Sequence, residues 1–128
     1  MRYINIIILI IIISSCDNPV NNILKDTSKK INENCPMKID DYTTLKTSSI
    51  NNNTLTYYYF INKNVITDYN ITKSYWSNEQ ESRLKTFYCL SPEFSVFREY
   101  NISVRWKYTD LDGFPFDLFE FSNEICDN

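Results

Sequence analysis

Residues Ile102–Thr109, Ile-Ser-Val-Arg-Trp-Lys-Tyr-Thr, decide the fold of this chain because their side chains alternate between apolar and polar. Such alternation is typical of a β-strand with one buried face, since successive side chains of a strand point to opposite sides. The apolar members would face the core, and they are Ile102, Val104, Trp106 and Tyr108. The polar side chains between them would face water, so the sequence predicts a sheet that is covered on one face.

Turn signals divide the strand-like segments into two hairpins. Asp110–Gly113 contains the only glycine of the chain and predicts a turn into a last strand over Phe114–Ser122. Asn51–Asn53 predicts another turn, because asparagine tolerates left-handed backbone. This turn would join a strand over Asp41–Ser49 to a strongly strand-like segment, Thr54–Ile61.

Helical patterns occur before the first hairpin and between the two hairpins. Val20–Asn34 has apolar residues at helical spacing and ends before Cys35-Pro36. Ser74–Cys89 has another helical face, and Ser91 followed by Pro92 predicts the start of a second, short helix. The sequence therefore predicts the α+β class, with a four-stranded antiparallel sheet made of two hairpins and helices on one face, in the order α-β-β-α-α-β-β.

Residues 1–16 predict a secretory signal that ends on a cysteine. Arg2 precedes an unbroken apolar run, Ile6–Ile13, which is much shorter than the roughly 20 residues that cross a bilayer. The stretch Ile13-Ser14-Ser15-Cys16 resembles the lipobox of bacterial lipoproteins at all four positions. The resemblance implies cleavage before Cys16 and attachment of diacylglycerol to its sulfur, which makes the lipid bilayer the first predicted partner.

This interpretation divides the chain into a cleaved signal peptide (1–15), a tether (16–22) and a single α+β domain (23–128). The alternatives are a transmembrane helix and a soluble secreted protein whose Cys16 carries no lipid. Asp17 resembles the signal that keeps enterobacterial lipoproteins in the inner membrane, although it is also a plausible first residue of a polar tether. We therefore expect a lipid-anchored protein of the bacterial cell envelope, on the periplasmic face of the inner membrane.

Three cysteines remain when Cys16 carries lipid, and they would lie in a compartment where disulfides persist. We favour a bridge between Cys89 and Cys126, because Cys126 ends the last predicted strand and Cys89 ends the long helix that should cover the sheet. Either pairing of Cys35 stays open. Since the chain has no Cys-x-x-Cys motif and no histidine, the sequence predicts no metal site, no redox site and no cofactor.

Charge and motifs exclude several classes of function. The formal net charge is −3, and removal of residues 1–15 would lower it to −4 because Arg2 is lost. Lys29-Lys30 is the only basic pair, so we expect no nucleic acid partner. The chain also lacks a histidine base, a Gly-x-Ser-x-Gly motif and a distinctive carboxylate pair, so we predict that it is not an enzyme.

Two predicted strands have aromatic side chains on both of their faces. Those on the face without helices could form a partner surface. Tyr58 and Phe60 alternate with core-facing residues, and Phe119 and Phe121 lie in a last strand whose pattern shifts phase. The shift predicts a bulge or a strand covered on both sides. If these four side chains share the face without helices, they form an exposed aromatic patch of the kind that marks partner sites. Packing in the core is the simpler interpretation.

These features together predict a non-enzymatic, membrane-anchored lipoprotein that acts through protein contacts. It would be an immunity or inhibitor protein, or an accessory subunit of an envelope assembly. The alternative is a small-ligand-binding lipoprotein with a pocket between the sheet and the helices. An internal cavity lined by tyrosine hydroxyls would favour that alternative.

Overall fold

A computed structural model describes residues 19–126, and the predicted signal peptide, Cys16 and Asp17 lie outside this range. The helices of the described part are α1 (Pro19–Glu33), α2 (Lys63–Asp68), α3 (Lys73–Leu90) and α4 (Ser95–Glu99). Its strands are β1 (Met37–Asp40), β2 (Thr43–Asn51), β3 (Thr54–Ile61), β4 (Ser103–Asp110) and β5 (Pro115–Phe121). Short 3₁₀ turns cover Pro92–Phe94 and Asn123–Cys126.

The strands form one five-stranded mixed sheet in the order β1-β2-β3-β4-β5. The α+β class was therefore correct, but the prediction of four antiparallel strands was wrong, because β3 and β4 pair in parallel. The chain leaves β3, passes through three helices and enters β4 in the same direction. The longest of these helices, α3, has 18 residues and spans about 27 Å, which is the length of an eight-residue strand. Such a helical crossover returns the chain to the end where β3 began.

Neither β1 nor α2 was predicted from the sequence, and the end of the tether was placed too late. The strand β1 has only four residues, three of them exposed, and it pairs with β2 at the sheet edge. The helix α2 begins at a cap in which the Asn62 side chain accepts a hydrogen bond from the Asn64 amide. The predicted tether (16–22) is too long, because α1 begins at Pro19 and buries Val20 in the core.

Apolar contacts and a polar network both fix α1 on the sheet. Leu24 is fully buried in the core. Further along the helix, the Ser28 and Ser48 hydroxyls lie 2.8 Å apart. The Asn32 side chain accepts the Ser48 amide at 2.7 Å and donates to the Ser48 carbonyl at 3.1 Å. We call Ser28, Asn32 and Ser48 the α1 clamp; it sets the register of α1 on β2.

One hydrophobic core lies between the sheet and the helices. The predicted inward face of Ile102, Val104, Trp106 and Tyr108 is buried, which confirms the alternation in β4. Trp76 of α3 packs edge-on against Tyr108, with ring centroids 5.1 Å apart. All four helices contribute buried residues to this cluster, which leaves the opposite face of the sheet without a helical cover.

The β4–β5 hairpin contains the predicted turn and a bulge. The Asp110 carboxylate accepts the amides of Asp112 and Phe114, and Gly113 has a φ of +86°, which suits glycine. Tyr108 pairs with Asp117, whereas the next residue, Thr109, pairs with Pro115, so Phe116 is an extra residue. This bulge is one of the two explanations predicted for the phase shift of the last strand.

A disulfide joins Cys89 at the end of α3 to Cys126 in the C-terminal 3₁₀ turn, with Cα atoms 5.3 Å apart. This is the pairing that the sequence favoured, although Cys126 lies in a turn and not at the end of a strand. Cys35 is a free, partly buried thiol. Within residues 19–126, no helix combines the length and apolar character that crossing a bilayer requires.

Candidate interaction face

The predicted aromatic patch does not exist as a group of four. Phe119 and Phe121 are only 6% and 3% exposed, and they pack in the core beneath the helices. Their partners in β4 are Trp106 and Val104, which also face the helices. The bulge at Phe116 explains the error, because one extra residue changes which parity of β5 faces the core.

Tyr58 and Phe60 do lie on the face opposite the helices, which we call the open face. Tyr58 has Thr47 and Lys107 as its lateral neighbours. Lys107 in turn pairs with Leu118 of β5, which is 52% exposed. Both rings are partly buried and contribute to the floor of this face. The sequence therefore placed two of the four residues on the correct face, and the parallel β3–β4 pairing supplied neighbours that the predicted hairpins lacked.

Two lysines lie over these rings. The Lys46 Nζ is 4.8 Å from the centroid of Phe60, and the Lys107 Nζ is 5.9 Å from the centroid of Tyr58. Both distances fall within the usual range of a cation–π contact. The Ser49 hydroxyl donates to the Tyr58 hydroxyl at 3.0 Å, which fixes the outer end of that ring. The open face therefore presents positive charge directly above aromatic surface.

A bulge in β2 brings Lys46 into this arrangement. Leu45 pairs with Tyr59, whereas Thr47 pairs with Tyr58, so Lys46 is the extra residue between them. Sequence reasoning missed Lys46 because no glycine or asparagine marks the bulge. The bulge is visible only in the structure, where Leu45 and Ser48 are both buried on the helix side although they are three positions apart.

The two lysines and two rings border a shallow hollow of about 310 Å³. We call it the basic–aromatic hollow; its lining includes Lys46, Thr47, Tyr58, Phe60, Lys107 and Thr109. The neighbouring cation of this face, Arg105, is paired with Glu120 at 3.2 Å. Among residues 19–126, no carboxylate lies within 4.0 Å of Lys46 or Lys107. The hollow therefore offers ammonium groups, hydroxyls and ring faces to a ligand.

Two of the spaces on the helix-covered side lie beside buried tyrosines, and both are smaller than the basic–aromatic hollow. A groove of about 260 Å³ between α1 and α4 runs over Tyr57, and a cavity of about 110 Å³ below α3 is bordered by Asp40, Tyr59, Arg83 and Tyr108. Small-ligand pockets commonly measure about 300–1,000 Å³, so neither of these spaces favours the small-ligand alternative.

Buried tyrosines line these spaces, and their pKa values are raised. Burial and the nearby Glu93 carboxylate raise the pKa of Tyr57 to about 12. Burial, together with Tyr108, also raises the pKa of Tyr59 far above its ordinary value. Both phenols therefore keep their proton at physiological pH, and neither is present as the phenolate that could act as a base.

The described residues contain no group of three or more Cys, Asp or Glu side chains that could hold a metal ion. The predicted lipidation site, Cys16, lies outside the described residues.

Comparison with solved structures shows that the fold recurs in a protein described as secreted and in two type II secretion pilotins. A Pseudomonas aeruginosa protein described as secreted superposes with a TM-score of 0.73, at 13% identity, over 85% of this chain and 94% of that one. The type 2 secretion pilotin EpsS of Vibrio vulnificus gives a TM-score of 0.70, at 11% identity, over 86% of this chain and 94% of EpsS. The type II secretion pilotin AspS of Vibrio cholerae gives 0.63, at 13% identity, over 84% of this chain and 93% of AspS.

No family model matches the sequence, and no curated protein matches it. At 11–13% identity, the structural likeness shows the fold alone. The shared fold nevertheless covers nearly the whole of each neighbour, so it concerns a complete domain and not a common motif.

Proposed function

We propose that this chain is a non-enzymatic, lipid-anchored accessory protein of a bacterial secretion assembly, with a pilotin-type role. The observation that carries the proposal is the fold shared with two pilotins of type II secretion systems over 84–86% of the chain. Between the two protein-contact roles that the sequence left open, this likeness favours the envelope-assembly accessory over the immunity or inhibitor protein. The partner is accordingly a protein of that assembly.

The N-terminal sequence supports the same proposal independently. Ile13-Ser14-Ser15-Cys16 resembles a lipobox, and diacylglycerol on Cys16 would hold the domain at a membrane surface. The tether between Cys16 and Pro19 is short, so the domain would stay close to the bilayer. We assign it to the periplasmic face of the inner membrane on the basis of Asp17, which resembles an inner-membrane retention signal.

Deletion of the gene in the parent bacterium tests the role. We expect export of the substrates of the type II secretion system to fall, and re-expression of the intact chain to restore it. Cys16→Ala should leave the domain folded but should restore export poorly, because the protein no longer stays at the membrane. Unchanged export after deletion would refute the proposed role.

Two variants test separately whether the protein is attached to a membrane and whether that membrane is the inner or the outer one. Cys16→Ala should release the protein from the membrane fraction and remove the mass of the lipid from the mature chain. Asp17→Ser should move the protein from inner-membrane to outer-membrane fractions on a sucrose gradient. If wild type already sediments with the outer membrane, the inner-membrane assignment is wrong while lipidation stands.

A further inference from the structure

We propose that the basic–aromatic hollow on the open face binds an acidic, extended segment of a partner protein. This inference rests on the proposed function, because it specifies the chemistry of the protein partner that such an accessory protein would bind. The hollow uses Tyr58 and Phe60 as its floor and Lys46 and Lys107 as its charged rim.

Charge complementarity argues for an acidic occupant. The chain as a whole has a formal net charge of −3, yet the open face carries Lys38, Lys46, Arg105 and Lys107 against Glu120. Arg105 is paired with Glu120 and Lys38 with Asp41, which leaves the two lysines above the rings without a carboxylate partner among residues 19–126. A basic surface on an acidic domain attracts anionic partners.

The dimensions of the face fit an extended peptide. The relevant side chains lie on β2 to β5, which are three strand spacings apart, or about 14 Å. An extended segment of four or five residues covers that distance at about 3.3 Å per residue. Leu118 continues the apolar surface beyond Lys107, so aliphatic side chains of the segment would have a contact as well as its carboxylates.

The positions of the rings argue against a membrane surface as the occupant. Aromatic residues that enter a bilayer interface protrude from the protein and place their apolar faces in the acyl region. Here Tyr58 and Phe60 are partly buried, and the lysine ammonium groups lie above them. Insertion of the rings would therefore require the charged groups to enter the apolar layer first. A concave, charged rim is better suited to carboxylate side chains of a peptide.

The test uses the full chain, purified in nonionic detergent, and a fluorescein-labelled ten-residue peptide of alternating Glu and Thr. Anisotropy should show binding that weakens with added salt, and a Gln–Thr peptide should bind at least about tenfold more weakly. The variant K46E/K107E should weaken binding of the Glu–Thr peptide by at least about tenfold. The control K25E/K29E makes the same change in net charge on the exposed side of α1 and should alter binding by less than about twofold.

Circular dichroism of both variants checks that the domain stays folded. Equal affinity for the Glu–Thr and Gln–Thr peptides, or equal effects of the two charge-reversed variants, would overturn the proposal. The proposal would also be overturned if the lipid-free Cys16→Ala protein floated with phosphatidylglycerol vesicles and adding K46E/K107E abolished that flotation, because the hollow would then serve a membrane.

Export in the parent bacterium separates this inference from the proposed function. If deletion blocks export and K46E/K107E restores it fully, the accessory role stands and the hollow is not the partner site. If deletion leaves export unchanged, the accessory role fails whatever the peptide measurements show. Loss of both peptide binding and export in K46E/K107E, with K25E/K29E unaffected, supports both.

Discussion

The two faces of the sheet carry similar aromatic side chains in different surroundings. On the covered face, Trp106 and Phe121 lie among other rings and are nearly inaccessible to water. On the open face, Tyr58 and Phe60 lie under lysine ammonium groups and border a hollow. The covered face holds the domain together, whereas the open face has chemistry that packing alone does not require.

The comparison shows that the face of the strand on which a residue lies, and not the type of residue, decides which aromatic side chains are available to a partner. Phe119 and Tyr58 are both aromatic candidates in the sequence, yet Phe119 is buried while Tyr58 borders a charged hollow. A single extra residue in a strand reverses the parity of everything that follows it. Substitutions of matched residues on the two faces should therefore separate stability from binding.

The largest expected effect is on the covered face. Phe121→Ala removes a ring from the core and should lower the free energy of unfolding by about 3–5 kcal/mol. Phe60→Ala on the open face should cost less than about 1 kcal/mol, because only part of its ring is buried. Urea unfolding followed by tryptophan fluorescence measures both. Similar losses for the two variants would mean that the open face also supports the fold.

The disulfide holds the helical layer over the covered face, and its removal should have the next largest effect. Cys89 and Cys126 close a segment with a sequence separation of 37 residues. Cys89→Ser with Cys126→Ser should therefore reduce stability by about 2–4 kcal/mol, because the unfolded chain gains freedom. Peptide mapping of the unreduced wild-type protein supplies the control. A free Cys89 thiol in that map would contradict the pairing.

High pH should destabilise the covered face through Tyr57. Below pH about 10 its phenol is neutral in the folded and in the unfolded chain. Burial and Glu93 raise the pKa of Tyr57 to about 12 in the fold, so between pH 10 and 12 the unfolded chain loses the proton first. Stability should fall by about 2 kcal/mol over that window from this residue. Thermal unfolding across pH 9–12 measures the fall, and a slope unchanged in Tyr57→Phe would contradict it.

The smallest effect contrasts adjacent serines that point to opposite faces. Ser48→Ala breaks the side-chain part of the α1 clamp and leaves the buried Ser28 hydroxyl without its partner, which should cost about 1 kcal/mol. Ser49→Ala loses only an exposed hydrogen bond to Tyr58 and should change stability by less than about 0.5 kcal/mol. Denaturation midpoints of the two variants give the comparison, and equal values would show that the clamp contributes little.

Sequence patterns predicted the elements whose signals are local. The apolar alternation of β4, the strand Thr54–Ile61 and the cap formed by Ser91 before Pro92 all appear in the structure. Each is determined by neighbours within a few positions, where steric preference and side-chain capping act. Of the candidate site, the open-face positions of Tyr58 and Phe60 followed from the same alternation.

The rest depended on contacts between distant segments. Parallel pairing of β3 with β4 places Lys107 beside Tyr58, and it arises from the length of the helical crossover rather than from either strand. The bulges at Lys46 and Phe116 have no distinctive residue that locates them, so the lysine above Phe60 and the burial of Phe119 were both missed. The edge strand β1 alternates between apolar and polar residues, but it has only four residues, three of them exposed, and it was missed.

The α1 clamp also determines how the domain would respond to force. A lipid tether ahead of Pro19 would transmit any pull to the first turn of α1, whose apolar contacts at Val20 and Leu24 yield gradually with distance. The hydrogen bonds between Asn32 and Ser48 would carry the load next and break abruptly. Because β2 lies between β1 and β3, that load passes into an interior strand of the sheet. The clamp is thus the point at which tension on the anchor would be resisted before the sheet opens.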